Sequence, residues 1–166
     1  ARATQAHTKL HGRKLIIALS TISLLMFAKF TYIASISNYF TFYLIQKFHI
    51  SIQTAQLHLF AFLAAVALGT FAGGPIGDKI GRKAVIWVSF IGMAPFALMM
   101  PYANLFWTTV FSIIAGLVLS SAFAAMVVYA QEAVPGRVGM IAGLMFGLMF
   151  GVSGIAAAGL GHLADI

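Results

Sequence analysis

One charged residue stands deep inside an uninterrupted apolar run: Lys29, within the stretch from Leu15 to Gln46. A lysine at that depth in a bilayer costs roughly 2.5–3.5 kcal/mol on insertion scales, so it needs a partner or an aqueous cavity. Projected at about 100° per residue, Lys29, Tyr32, Ser35, Tyr39, Tyr43 and Gln46 fall within about one third of a helix circumference. One cation and a ladder of hydroxyls on one face have the chemistry of a path for a polar solute. The pattern predicts a cavity wall rather than a lysine that snorkels to the surface. Proton coupling would need a titratable group in such a path. Asp78 and Glu132 sit at the margins of apolar runs and Asp165 at the far end, so no carboxylate is expected deep in the bilayer. His58, about two turns into the second run, is of a residue type that can carry protons but is read as a hydrogen-bonded packing residue. No nucleophile–base set or metal cluster is evident, and cysteine is absent. Enzyme chemistry, a thiolate metal site, a disulfide scaffold and a bound cofactor are therefore not expected.

The elements that position these residues follow from composition. Of 166 residues, 61% are apolar and 8% charged, too little charge to cover a soluble surface. Five runs reach the roughly 20 residues needed to cross hydrocarbon as a helix. The spans are expected at about 15–46, 52–73, 84–100, 105–130 and 138–160, after a polar lead over 1–14. The class is all-α, a polytopic membrane protein with the lipid bilayer as its main partner. A barrel would show roughly ten-residue alternating segments instead. Ser51 is a plausible N-cap of the second span, Pro101 closes the third, and Tyr102 and Trp107 suit the membrane interface. The first span exceeds what a bilayer requires and is expected to tilt or to extend past the headgroups. The net charge of +7 does not mark a nucleic-acid face, because the basic residues are scattered between apolar runs. Arg2, Lys9, Arg13, Lys14, Lys79, Arg82, Lys83 and Arg137 fall on one side of the membrane and Lys47 on the other, which places the lead in the cytoplasm.

Two further patterns concern packing and turns. Gly69, Gly73 and Gly77 recur every four residues, as do Gly139, Gly143, Gly147 and Gly151. Such stripes let two helix backbones approach closely and predict helix–helix contacts. The segment Gly74-Pro75-Ile76-Gly77-Asp78-Lys79-Ile80-Gly81-Arg82-Lys83 reads as a glycine-rich basic turn, with reversal at Gly77 and Gly81 and with Asp78 free to cap a helix or pair with a base. It lacks the order of a phosphate-binding loop, and no strand precedes it. Glu132 is expected to pair with Arg82 or Arg137 as a charge latch.

That ten-residue segment resembles the signature loop of the major facilitator superfamily, in which Gly74, Gly77, Asp78, Lys79, Gly81, Arg82 and Lys83 match the pattern between two spans. Further segments resemble bacterial drug-exporting members of that superfamily. They are Lys29 to Ser37, Tyr43 to Phe48, Ala55 to Phe62, Val128 to Glu132 and Pro135-Gly136-Arg137, and the similarity runs from about Leu15 to Asp165. The resemblance implies helices seven to eleven of a twelve-helix transporter in the bacterial inner membrane. It also implies export of a small anionic drug such as a phosphonate, driven by proton antiport. The first and fourth spans would line the cavity, and the second and fifth would face the N-terminal half of the same transporter, carried elsewhere. A transporter of another metabolite, or a membrane assembly module without transport, are the alternatives.

Overall fold

The computed structural model describes residues 12–134 and 136–164. Five helices account for nearly all of them: α1 (Arg13–Phe48), α2 (Ile52–Ile80), α3 (Arg82–Met99), α4 (Leu105–Ala133) and α5 (Val138–Ala164). A single 3-10 turn, Met100–Tyr102, closes α3. No strand occurs among the described residues. All five helices are long and apolar enough to cross a membrane. The protein is therefore all-helical and multi-pass. Without water to satisfy open backbone groups, continuous helices are the solution open to such a chain.

The links are short, so successive helices alternate in direction. His49 ends α1 in the left-handed conformation (φ 51°), its N–H donating to the Ile45 carbonyl. Ser51 then caps α2, accepting from the Thr54 N–H. Asn104 Oδ1 caps α4, accepting from the Trp107 N–H at 3.0 Å. These caps occupy donors that the first turn of a helix leaves open. The bundle has a basic end, with Arg13, Lys79, Arg82, Lys83 and Arg137, and an opposite end that carries Lys47.

The helices run beyond the apolar cores expected from sequence. A chain leaving hydrocarbon keeps its helical bonds until a residue with another conformation intervenes. Arg13 and Lys14 thus begin α1 rather than ending a lead, Lys47 and Phe48 complete it, and Gln131 to Ala133 belong to α4. Residues 1–11 of the lead, and Asp165, lie outside the described residues. The largest correction concerns the segment from Gly74 to Lys83. Seven of the residues expected to turn there remain helical, from Gly74 to Ile80, and Arg82 and Lys83 already belong to α3. Gly81 alone makes the reversal, at φ 100° and ψ 135°, a conformation open in practice to glycine. Pro75 forfeits one backbone bond, a loss that membrane helices tolerate.

α4 is the hub. It packs most extensively on α2 and α3, while α5 packs chiefly on α1. Its buried face is built of small residues, among them Ser112, Ala115, Gly116, Ser120, Ala122 and Ala125. Lipid chains are as apolar as leucine, so close backbone approach and interhelical hydrogen bonds must hold such a bundle. Both occur. A Cβ at Gly69 or Gly73 would collide with the Leu117 or Ser121 carbonyl, and Gly77 faces Ala125. Ser89 and Ser121 share a 2.8 Å hydrogen bond between α3 and α4. His58 Nδ1 and Thr109 Oγ1 share one of 2.9 Å between α2 and α4, so the histidine is a packing residue. Large apolar side chains such as Leu24, Phe60, Phe71, Trp87 and Phe150 point outward, as a lipid-facing surface requires.

Candidate functional site

The six residues expected on one face of α1 divide into two environments. Lys29 is 2% exposed. Ile22, Met26, Phe40 and Leu44, all buried, project within about 60° of it on the helix. Lys29 thus lies in the packed seam, at the margin of the polar stripe. Its Nζ sits 4.8 Å from the ring centroid of Phe123 on α4 and 5.3 Å from that of Phe30. Phe30 and Phe123 meet edge to face at 5.9 Å, and Phe123 meets Phe146 of α5 at the same separation. Among the described residues no carboxylate pairs with Lys29. A desolvated cation over an aromatic face gains on the order of 2 kcal/mol. Two such contacts are comparable with the roughly 2.5–3.5 kcal/mol that insertion of a lysine costs. The aromatic box therefore explains how Lys29 is accommodated without an acid.

The hydroxyl ladder faces elsewhere. Tyr32, Ser35, Tyr39 and Tyr43 line a groove of about 250 Å³ against Ala97 and the Met100–Pro101 turn, and Lys29 does not line it. Ser35 Oγ donates to the Thr31 carbonyl at 2.9 Å. Tyr43 Oη donates to the Met100 carbonyl at 3.4 Å and accepts from Lys47. The Tyr32 and Thr31 hydroxyls are buried without a partner. A polar atom stranded at bilayer depth is costly, and it marks a place where a polar solute gains most by arriving. Gln46 is exposed at the end of the helix and lies outside the groove.

At the basic end, Arg82 forms an ion pair with Glu132 and a longer one, 3.4 Å, with Asp78. Asp78 is 72% exposed, so its pair contributes little; the Glu132 side chain is 38% exposed and the Arg82 side chain 22%. Arg137 is exposed and has no ion pair among those recorded for the described residues, so of the two bases expected to meet Glu132 only Arg82 does. The cause is the extra helical turn: α4 runs on to Ala133 and aims Glu132 at the start of α3, while Arg137 follows the Gly136 turn. Lys83 lies over the Tyr129 ring at 5.5 Å, and Lys79 is exposed. Gly74 is half-buried with open space around its Cα. The second glycine stripe differs from the first. Gly139, Gly143, Gly147 and Gly151 are exposed and meet nothing within 4 Å, because α5 turns Ile141, Met145 and Val152 to the bundle instead.

Sequence reasoning missed Phe123, whose contact with Lys29 depends on how α1 and α4 cross. It also missed the orphan hydroxyls of Thr31 and Ser120. Phe30 was open to view as the neighbour of Lys29.

Five membrane-crossing helices thus carry a buried cation on the first and a charged turn between the second and third. The model of the Major Facilitator Superfamily matches residues 14–166, and the chain belongs to that superfamily. Over 152 residues, 92% of the chain, it is 60% identical to the fosmidomycin resistance protein of Escherichia coli (strain K12), covering 37% of that protein. Over 131 residues, 79% of the chain, it is 43% identical to the uncharacterized MFS-type transporter YfnC of Bacillus subtilis (strain 168), covering 32% of it. The chain thus spans about a third of the length of these relatives. No solved structure gives a significant match.

Proposed function

We propose that this chain is part of a proton-coupled secondary transporter of the bacterial inner membrane that exports a small anionic drug of the phosphonate class. The observation that carries the reading is Lys29: a buried cation held by rings, its charge uncancelled by any carboxylate among the described residues, which an anion meets when the seam between α1 and α4 opens. The name of the 60% identical relative supports the substrate class. The five helices correspond to helices seven to eleven of twelve, with the basic end in the cytoplasm as the distribution of lysine and arginine favours. The rest of the same transporter supplies the facing wall of the cavity and the proton-carrying acid. Rocking of the two halves exposes the site to each side in turn. Tyr32, Ser35, Tyr39 and Tyr43 serve as neutral donors along the path.

The test is made on the complete transporter in proteoliposomes. Adding fosmidomycin to one side of vesicles that carry a proton gradient should move protons in the opposite direction. Vesicles in which the drug moves with no proton flux exclude antiport, and drug-independent behaviour throughout excludes the substrate class.

The Arg82–Glu132 pair acts at the cytoplasmic end in the same reading. Charge reversal, Glu132→Lys, sets two cations against each other and should slow export several-fold. Arg82→Glu in the same molecule should recover much of the loss, since it restores opposite charges at one contact. Export unaffected by Glu132→Lys would remove the pair from the mechanism.

A further inference from the structure

The end of α1 opposite the basic turns is tied down by one side chain. Lys47 Nζ donates to the Pro101 carbonyl at 2.5 Å, to the Ala103 carbonyl at 3.2 Å and to Tyr43 Oη at 2.9 Å. It also lies over the rings of Phe48 and Tyr43, 5.1 and 5.3 Å from their centroids. An ammonium has three donors, and all three are engaged. Two of the acceptors belong to the link between α3 and α4, so Lys47 straps the last turn of α1 to that link. The backbone beside it has little freedom, because His49 closes the helix at once with its own hydrogen bond. The side chain of Lys47 is the movable part.

The same strap bounds the hydroxyl groove. Tyr43, Met100 and Pro101 line the groove, and Lys47 binds Tyr43 and Pro101 directly. Every acceptor of Lys47 is neutral. Those bonds are charge-assisted on the donor side alone; an oxyanion adds a full opposite charge, and with it a Coulomb attraction that a neutral carbonyl lacks. An oxyanion that reaches this end of the groove therefore outcompetes the carbonyls for the ammonium. Removing the ammonium from Pro101 and Ala103 leaves α1 and the Met100–Tyr102 turn joined there by the 3.4 Å bond from Tyr43 to Met100 and by apolar contacts.

We propose that Lys47 is an anion-operated latch on the outer mouth of the hydroxyl groove, closed on the Pro101 and Ala103 carbonyls and opened when a phosphonate oxygen takes the ammonium. The proposal rests on the reading of the groove as part of the solute path. Lys47 acts as a positioning residue: it sets the distance between α1 and the turn.

The absence of cysteine from this chain makes the test clean. In the complete transporter, freed of cysteines elsewhere, Ser35→Cys places a thiol in the groove. Its labelling by a membrane-impermeant maleimide is followed from the outer face in cells and from the cytoplasmic face in inverted vesicles. Lys47→Met should speed labelling from the outer face by about tenfold or more, the factor that loss of charge-assisted hydrogen bonds implies. Lys47→Arg should stay near the parent rate, because a guanidinium still reaches the carbonyls. Fosmidomycin should speed outer labelling in the parent and have no such effect in Lys47→Met. Labelling from the cytoplasmic face should not change. Equal rates in parent and Lys47→Met overturn the latch, and so does acceleration from both faces, which would mean general loosening. The path reading has a separate readout, export by Tyr39→Phe and Tyr32→Phe. If both variants export normally while the labelling pattern holds, the groove is latched but is no solute path.

Discussion

Replacing Lys29 with glutamine should all but abolish phosphonate export by the complete transporter and leave the protein as stable as before, or more so. The two effects have different origins. A charged hydrogen-bonding group contributes about 1.5–3 kcal/mol to a bound partner, or about 10- to 150-fold in affinity. Glutamine retains a donor but no charge, so it should forfeit most of that factor. For the fold, burial of the ammonium is a cost that the rings of Phe30 and Phe123 roughly offset. No acid is stranded when the charge goes, since none among the described residues pairs with it. That differs from breaking a buried ion pair, where the orphaned partner makes removal strongly destabilising. Lys29→Met, apolar and of similar length, should go further and raise the thermal unfolding midpoint in detergent while export is lost. Lys29→Arg keeps the charge and can stack on the rings, and should retain part of the export. Transport close to that of the parent in Lys29→Gln would sink the role. Parallel loss of stability and transport would recast Lys29 as a structural cation.

The sequence carried the bundle clearly, since five apolar runs longer than a bilayer is thick leave few other solutions. It carried Lys29 for the same reason: a charge inside such a run stands out by cost alone. It did not carry the direction in which Lys29 points. A projection of α1 places the lysine at the margin of the polar stripe, and only the crossing with α4 decides that it joins the seam of Met26 and Leu44 and meets Phe123. The charged hinge was legible in content but not in shape. Glycine and proline suggested a loop over ten residues, whereas in a membrane helix they are tolerated and a single residue, Gly81, makes the turn. Lys47 seemed only the lone base on its side of the membrane. Its engagement by Pro101 and Ala103 joins residues more than fifty positions apart and follows from the packing of α1 against the α3–α4 link.

The two glycine stripes look alike in sequence and should respond in opposite ways to added methyl groups. At Gly73 a Cβ would run into the carbonyl of Ser121, and at Gly69 into that of Leu117. Both obstacles are backbone, so neither can swing aside as a flexible side chain would. α2 and α4 would have to separate along the most extensive contact in the bundle. Overpacking costs about 1–3 kcal/mol even where side chains can yield, so Gly73→Ala should reach the upper part of that range or fail to fold. Gly69→Ala and Gly73→Ala strike one crossing and should not be additive, because the first separation relieves the second. At Gly147 nothing lies within 4 Å, and its neighbours Gly143 and Gly151 are equally open. Alanine there replaces the more flexible residue in a helix and should leave the unfolding midpoint unchanged, or raise stability by up to about 1 kcal/mol. The stripe on α5 is thus open to lipid or to contacts beyond these five helices. If it is the surface on which the two halves of the transporter slide, Gly143→Leu and Gly147→Leu should lower export severalfold in protein of undiminished thermal stability. Bulky residues that leave export intact would assign the stripe to lipid instead. The pair of measurements, unfolding midpoint and export rate, thus separates a glycine that holds the bundle together from one that lets it move.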